Sequence, residues 1–227
     1  MTVFVTGTDT GSGKTHVSAA LVAACARRGL RAIGMKPVAS GAEWRGNAWH
    51  NDDVAALVAA ANVSAPATDV NPYLFELPAS PHIAAAAAGR AIEPGVIDAA
   101  YRRCRAQADV VIVEGVGGWL VPISDDFLVA DLAAHLALPV LLVVGVRLGC
   151  INHGLLTARA IAASGLPFAG YVANVVEPAM PARTAVLATL ERHLPAPCLA
   201  VIDWNDPASL AHGAERVADH LLATANP

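Results

Sequence analysis

The sequence predicts an α/β protein: a doubly wound, mainly parallel sheet with helices on both faces. Three observations predict it. Short apolar runs alternate with longer helical ones along the whole chain. Several of the short runs are apolar throughout, as strands buried on both faces of a parallel sheet must be. The first of them, "TVFVT", passes directly into a glycine-bearing loop and then a helix. Strands joined through helices imply right-handed crossovers. Ligands of such sheets bind outside the carboxyl ends of the strands, so chemistry is expected just after each one.

Composition narrows the function classes. A chain of 227 residues that is 55% hydrophobic and 15% charged suits one folded domain, residues 1–227. The formal charge of −4 and the lack of a basic block exclude a nucleic-acid footprint. The longest apolar run, "ALPVLLVVGV", is too short to cross a bilayer and meets Arg147. "MTVFVTG" lacks the basic start of a secretory leader. Cys25, Cys104, Cys150 and Cys198 have no metal-ligand spacing and read as free thiols of a cytoplasmic protein. Of 15 basic residues only Lys14 and Lys36 are lysine. A chain that otherwise uses arginine keeps lysine where a compact charge on a flexible stem is needed.

The elements justify themselves in order. The strand Val3–Thr6 leads into "GTDTGSGKT", Gly7–Thr15, and the helix Lys14–Arg28. This ends like the phosphate loop G-x-x-x-x-G-K-[ST], but its first glycine stands one place early, at Gly7 instead of position 8. Strand, loop and helix together supply the context a phosphate loop needs. Backbone N–H groups at the helix N-terminus favour phosphate oxygens. Lys14 reaches the β- and γ-phosphates, and the Thr15 hydroxyl suits Mg²⁺. The second strand, Ala32–Lys36, ends in "GMKPVASG". Lys36 at the ligand edge is a candidate for stabilising a transferring phosphoryl group, and Ser40 is a weaker candidate.

The stretches Val38–Asn51 and Ala65–Pro81 read as loops. "HNDD" opens a helix over Asp53–Ala61, where Asp52 and Asp53 read first as capping and dipole partners, and second as Mg²⁺ ligands. A helix over Glu93–Ala106 precedes the strand Val110–Glu114. Glu114, followed by Gly115, Val116, Gly117 and Gly118, is a strand-end acid of the kind that meets Mg²⁺ beside a phosphate loop. A helix over Val129–Ala137 precedes the strand Val140–Val144. The turn "LGCINH", opening the helix Ile151–Ser164, offers N–H groups of Gly149–His153 to an anion. Cys150 and His153 lack a third orienting group and do not read as a nucleophile pair. The strand Ala169–Ala173 ends at "VAN", where Asn174 is placed to read a base. Pro181–His193, Cys198–Val201 and Ser209–Ala223 complete the pattern as helix, strand and helix.

The strings "GTDT…GKT", "KPVASG", "NDD", "SPHI", "VEGVGGW", "GCINH" and "VAN" occur in that order across nearly the whole chain. Together they resemble the dethiobiotin synthetases, P-loop enzymes of biotin synthesis. The resemblance implies an ATP- and Mg²⁺-dependent ligase that joins CO₂ to 7,8-diaminononanoate through a carbamate and a carbamic–phosphoric anhydride. It implies Lys36, Lys14 and Thr10 in catalysis and Thr15, Asp53 and Glu114 on Mg²⁺. It implies ATP over Gly11–His16, Asp53 and Glu114–Gly117, with Asn174 and Val175 at adenine and Asp203, Trp204 and Asn205 lining the base pocket. Thr10 and Ser40 would contact substrate. In the implied homodimer, Leu148, Gly149, Cys150, Ile151 and Asn152 of one subunit hold the substrate carboxylate in the other's site. Thr8–Thr10 are then expected to turn toward the acceptor. Gly11-Ser12 stands where some members carry Glu-Val, and Val175 stands where some carry an acid.

The same fold class also holds partition and septum-positioning ATPases, but their loop carries an additional early lysine, and here Thr8, Asp9 and Thr10 occupy that place. A glutamine-dependent cobyrinate synthetase would need room for a second catalytic domain. A switch GTPase would need an N-K-x-D-type guanine reader, which the sequence lacks.

Overall fold

The computed structural model describes residues 1–225. The chain runs β1 (Thr2–Gly7), α1 (Lys14–Arg27), β2 (Ala32–Met35), β3 (Val38–Ser40), β4 (Glu43–Arg45), β5 (Ala48–His50), α2 (Asp52–Ala60) and α3 (Ala67–Val70). It continues through β6 (Tyr73–Phe75), α4 (Pro81–Ala87), α5 (Pro94–Gln107), β7 (Val110–Glu114), β8 (Pro122–Ser124), β9 (Phe127–Leu128) and α6 (Val129–His135). It ends with β10 (Val140–Val146), α7 (Cys150–Ala163), β11 (Phe168–Val175), α8 (Arg183–His193), β12 (Cys198–Ile202) and α9 (Pro207–Ala225).

Six parallel strands form the central sheet in the order β12-β11-β10-β1-β7-β2. Strand periodicity divides the core. Phe4 of β1, Val111 and Val113 of β7, and Leu142 and Val144 of β10 face one layer, with residues of α5, α6 and α7. Val3, Val5, Val110, Ile112, Leu141 and Val143 face the other, against Leu21 and Cys25 of α1 and Val217 and Leu221 of α9. Both faces are covered, which is why these strands read as unbroken apolar runs. From β1 the chain winds toward β7 and β2 on one side and toward β10, β11 and β12 on the other. The carboxyl ends beside β1 are therefore the switch point at which a ligand crevice opens.

The two stretches read as loops hold structure. Val38–Ser40 pairs in parallel with Tyr73–Phe75, from the second stretch. Glu43–Arg45 and Ala48–His50 form an antiparallel hairpin around Gly46-Asn47. The short helices α3 and α4 and the β8–β9 ribbon were also unexpected. The second strand stops at Met35, and Lys36 instead donates its backbone N–H to Val70 O at 2.8 Å. At α2 neither aspartate is the cap. Asn51 takes that place, its side chain accepting from Val54 N at 3.2 Å. This frees the Asp53 carboxylate for another contact.

Candidate active site

The loop between β1 and α1 closes on itself because two glycines permit it. A Cβ on Gly7 would lie 2.3 Å from Ser12 Oγ, so the early glycine has a packing reason: the loop's far side rests on it. Gly13 has φ 90°, and a Cβ there would lie 2.0 Å from Asn174 Nδ2. That amide nitrogen donates to Ser12 O at 2.9 Å and ties the loop to the end of β11. Because a backbone carbonyl only accepts, this bond also orients the Asn174 amide. The other shoulder is tied to β10. Thr8 N donates to Val143 O at 3.1 Å, Gly145 N donates to Thr8 Oγ1 at 3.3 Å, and Arg147 donates to the Asp9 carboxylate at 2.5 Å. Of Thr8–Thr10, therefore, only Thr10 faces the neighbouring cavity. The other two hold the loop against β10 and α7, which corrects the expectation that all three turn toward the acceptor.

Both lysines are buried beside this loop. Lys14 Nζ donates to Asp9 O at 3.0 Å. Burial, and then the neighbouring Lys36 charge, pull its pKa down to about 8. Lys36, 2% exposed, donates to Glu114 Oε1 at 2.5 Å and to Asp53 Oδ2 at 3.0 Å. Burial alone would lower its pKa, but the charges of Glu114 and Asp53 outweigh it and the net direction is up. At Asp53 burial pushes upward and Lys36 outweighs it, so that carboxyl titrates below its ordinary range. Thr15 Oγ1 donates to the same Glu114 oxygen at 2.7 Å. Glu114 is fully buried, and its second oxygen, Oε2, has no partner among the described residues. A buried charge pair of this kind contributes little net stability, because desolvation offsets the attraction. A buried pair that adds so little to stability is a candidate for chemistry.

Two cavities flank the loop. The first, about 740 Å³, is lined by Thr10, both lysines, Thr15, Ser40, Asp53 and the Pro78–Pro81 turn. Val116 and Gly117 also line it. The second, about 510 Å³, is lined by Asn174, Val175, Arg147 and the turn Asp203–Pro207 that follows β12. The pair resembles a bipartite site, with an acceptor and transferable phosphoryl group on one side and a base on the other.

Comparison with known proteins bears on this geometry. The AAA domain family AAA_26 matches residues 1–211. The ATP-dependent dethiobiotin synthetase of Aromatoleum aromaticum is 52% identical over 211 residues, covering 92% of this chain and 94% of that protein. The chain belongs to the dethiobiotin synthetase family. It is thus a member of a family of ATP-dependent ligases. Among solved structures, the cell division protein MinD of Aquifex aeolicus aligns with TM-score 0.60 at 14% identity, covering 100% of this chain and 98% of that one. The septum site-determining protein MinD of Pyrococcus horikoshii, complexed with Mg-ADP, gives 0.58 at 15%, with the same coverage. At such identity these likenesses establish the P-loop NTPase-like fold alone.

Against the dethiobiotin synthetase pattern, most expected residues gather at the two cavities. Lys14, Lys36, Thr10, Thr15, Ser40 and Asp53 surround the first, with Glu114 behind them, and Asn174, Val175, Asp203, Trp204 and Asn205 surround the second. Gly11, Gly13 and His16 line both. Ser12 is fully buried beneath the loop, and Gly115 packs against Phe4 and Val129. Leu148–Asn152 line neither cavity of their own chain. Leu148 is 91% exposed, and the Cys150 thiol is buried, with its pKa pushed up by that burial. The backbone N–H of Cys150 is spent on Arg147 O, and that of His153 on Gly149 O.

Ser80, Pro81 and Arg147 were not singled out from sequence. Ser80 and Pro81 line the first cavity; "SPHI" carried their signal as part of the resemblance. Arg147 lines the second and is held by Asp9, a contact no local pattern announces.

A Mg²⁺ ion suits the donors present. Glu114 Oε2 is a buried acceptor without a partner among the described residues, the Thr15 hydroxyl donates to the other Glu114 oxygen, and Asp53 shares Lys36 with Glu114. No group of three or more His, Cys, Asp or Glu side chains among the described residues could hold a metal alone.

Proposed function

We propose that this protein closes the ureido ring of dethiobiotin, taking 7,8-diaminononanoate, CO₂ and ATP to dethiobiotin, ADP and phosphate. One observation carries the reading to particular residues. The chain's only two lysines are both buried and both face the first cavity, beside the acids that suit Mg²⁺. The 52% identity to a dethiobiotin synthetase supplies the reaction class.

In this reading a substrate amine adds to CO₂ and loses a proton, giving a carbamate. A carbamate oxygen attacks the γ-phosphorus in line and displaces ADP, leaving a carbamic–phosphoric anhydride. The second amine attacks its carbonyl carbon and expels phosphate, closing the ring. An anionic carbamate must approach an anionic phosphate, and the site offsets that repulsion. Lys36, positioned by Glu114 and Asp53, meets the carbamate and the transferring phosphoryl group. Lys14 leaves the Asp9 carbonyl for the phosphates. Thr15, Asp53 and Glu114 would hold Mg²⁺, which supplies charge neutralisation of the phosphates. Thr10 and Ser40 contact the diamine. Asn174 offers the base cavity an amide whose nitrogen is already committed to Ser12 O. Adenine lies along Val175 and Asp203–Asn205.

The same reading makes the protein a cytoplasmic homodimer, its 227 residues working as one domain. No helix among the described residues is long and apolar enough to cross a membrane. Leu148–Asn152, exposed at Leu148 and away from both cavities of their own chain, are then offered to the partner's substrate carboxylate. Phosphate release with ATP, bicarbonate and the diamine, omitting each in turn, tests the reaction. Release should require all three, and release indifferent to bicarbonate and diamine would overturn the assignment.

A further inference from the structure

Ser40 closes β3, Asp53 lies in the first turn of α2, and both line the first cavity. The chain between them is the β4–β5 hairpin, exposed from Glu43 to Trp49. A ribbon standing in solvent has no core to fix the spacing of its ends. The half-buried Asn51 closes its base. Asn51 Oδ1 accepts from Val54 N at 3.2 Å, and Asn51 Nδ2 donates to Ser40 O at 3.2 Å. The amide can sit only one way round, because a backbone N–H only donates and a carbonyl only accepts. Aspartate and serine cap helices as well as asparagine does. An ionised aspartate, however, has no donor for Ser40 O, and a serine hydroxyl ends one bond short of the amide nitrogen.

Asn51 itself lines neither cavity. What it touches does. Ser40 is a contact of the diamine, and the helix start that Asn51 caps carries Asp53, which accepts from Lys36 at 3.0 Å. We propose that Asn51 is a positioning residue whose amide holds Ser40 in register with Asp53, the nitrogen serving diamine binding and the oxygen serving the transfer step. This rests on the ring-closure reading above and deepens it. Without the donor, the Ser40 carbonyl turns to water and its hydroxyl loses a fixed place. Contacts to the diamine then weaken alike in the ground and transition states, which raises KM and leaves kcat. Without the cap, the first turn of α2 loosens, and the Asp53 carboxylate no longer steadies Lys36, which lowers kcat.

Three variants separate the two halves of the amide: Asn51→Asp, Asn51→Ser and Asn51→Ala. The aspartate and serine variants keep a capping oxygen and lose the amide donor. They differ in charge, so what they share reports the donor. The alanine variant loses both functions. The KM for the diamine should rise about threefold to tenfold in all three, the scale of one neutral hydrogen bond, while the KM for ATP stays within about twofold of wild type. The kcat should hold in the aspartate and serine variants and fall only in the alanine variant, which should also have the lowest Tm. A diamine KM raised in the alanine variant alone would overturn the proposal, because capping would then explain everything. So would an ATP KM that rises in step with that for the diamine. The aspartate and serine variants decide the matter even if the alanine variant does not fold. A wild type whose phosphate release ignores the diamine would remove the ring-closure reading, and with it the role of Ser40. The positioning is read without substrate by hydrogen exchange. Residues 38–42 should exchange about threefold to tenfold faster in the aspartate and serine variants than in wild type, and equal exchange would overturn the tie between Asn51 and Ser40.

Discussion

The cavity beside Lys36 is walled by charged groups that the sheet buries, whereas the cavity beside Trp204 is walled by a strand end and a surface turn. In the first, Lys36, Glu114 and Thr15 meet within single hydrogen bonds at the ends of β2 and β7 and the start of α1, and each is fixed by core strands or a helix start. In the second, Trp204 is 52% exposed, and Asn205 takes a left-handed φ of 47° on the turn leaving β12. Geometry that must stabilise a developing charge has to be preorganised, and burial in a sheet does that. A pocket that only recognises a flat base can be made from adaptable loop residues. The two halves should therefore fail differently when altered, one in rate and the other in affinity.

The largest effect is expected at Lys36. Lys36→Ala should lower kcat by about a hundredfold to a thousandfold, the usual scale for losing one charge-stabilising donor. The KM for ATP should change far less. Because removing the lysine leaves Glu114 buried and unpaired, circular dichroism must accompany the kinetics. An intact kcat in a folded variant would remove Lys36 from the chemistry. Asn174→Ala should act in the opposite sense. It deprives Ser12 O of its donor and slackens the loop's tie to β11, a loss of about 1–3 kcal/mol where the acceptor is buried. Expected is a rise of about tenfold in the KM for ATP, with kcat at saturation within a few-fold of wild type. A kcat loss as deep as that of Lys36→Ala would erase the distinction between the two cavities.

The same contrast governed what could be read from the sequence. Lys36 and Glu114 stood out because each sits at the end of an apolar run, which strand burial writes plainly, and Lys14 because it stands in Gly13-Lys14-Thr15. Which of Asp52 and Asp53 mattered did not show: both lie in the first turn, and only the fold reveals that Asp53 faces Lys36 while Asp52 meets Arg45 and His50. The strands β3 and β6 are three residues each, too short for any periodicity, and they pair across more than thirty positions. Their existence is a tertiary fact. The hairpin of β4 and β5 was legible in principle, since Gly46-Asn47, both with positive φ, is a two-residue turn signal. So was α4, with Pro81 at its first turn and Gly89 beyond its end. Of the second cavity, Asn174 was legible as a strand-end amide, but Asp203–Asn205 were reached only through the resemblance, because a turn of this kind has no pattern of its own.

The smallest effect lies at the opposite end of the strands that carry the transfer site. β2 and β7 bring Lys36 and Glu114 together, and just before those strands Arg31 and Asp109 clamp each other. Arg31 Nη2 to Asp109 Oδ1 is 2.7 Å, and the backbone N–H of Arg31 donates to Asp109 Oδ2 at 2.9 Å. The Arg31 side-chain and backbone donors hold the Asp109 pKa down to about 2. A carboxyl whose folded pKa lies below its unfolded value of about 3.9 adds stability above that value. The contribution is lost as pH falls through about 2. The pair is solvent-exposed, so its effect is modest and screened by salt. Expected is a Tm for Asp109→Asn slightly below wild type and parallel to it from pH 7 to 5. The difference should close as pH drops from about 4 toward 2. A gap that persists undiminished at the acid end would show that Asp109 acts through packing and not through its charge. Since the clamp touches neither cavity, the ATP KM should not move. If it did, the two halves of the site would be coupled through the sheet, and the division between a rate-setting cavity and an affinity-setting one would have to be redrawn.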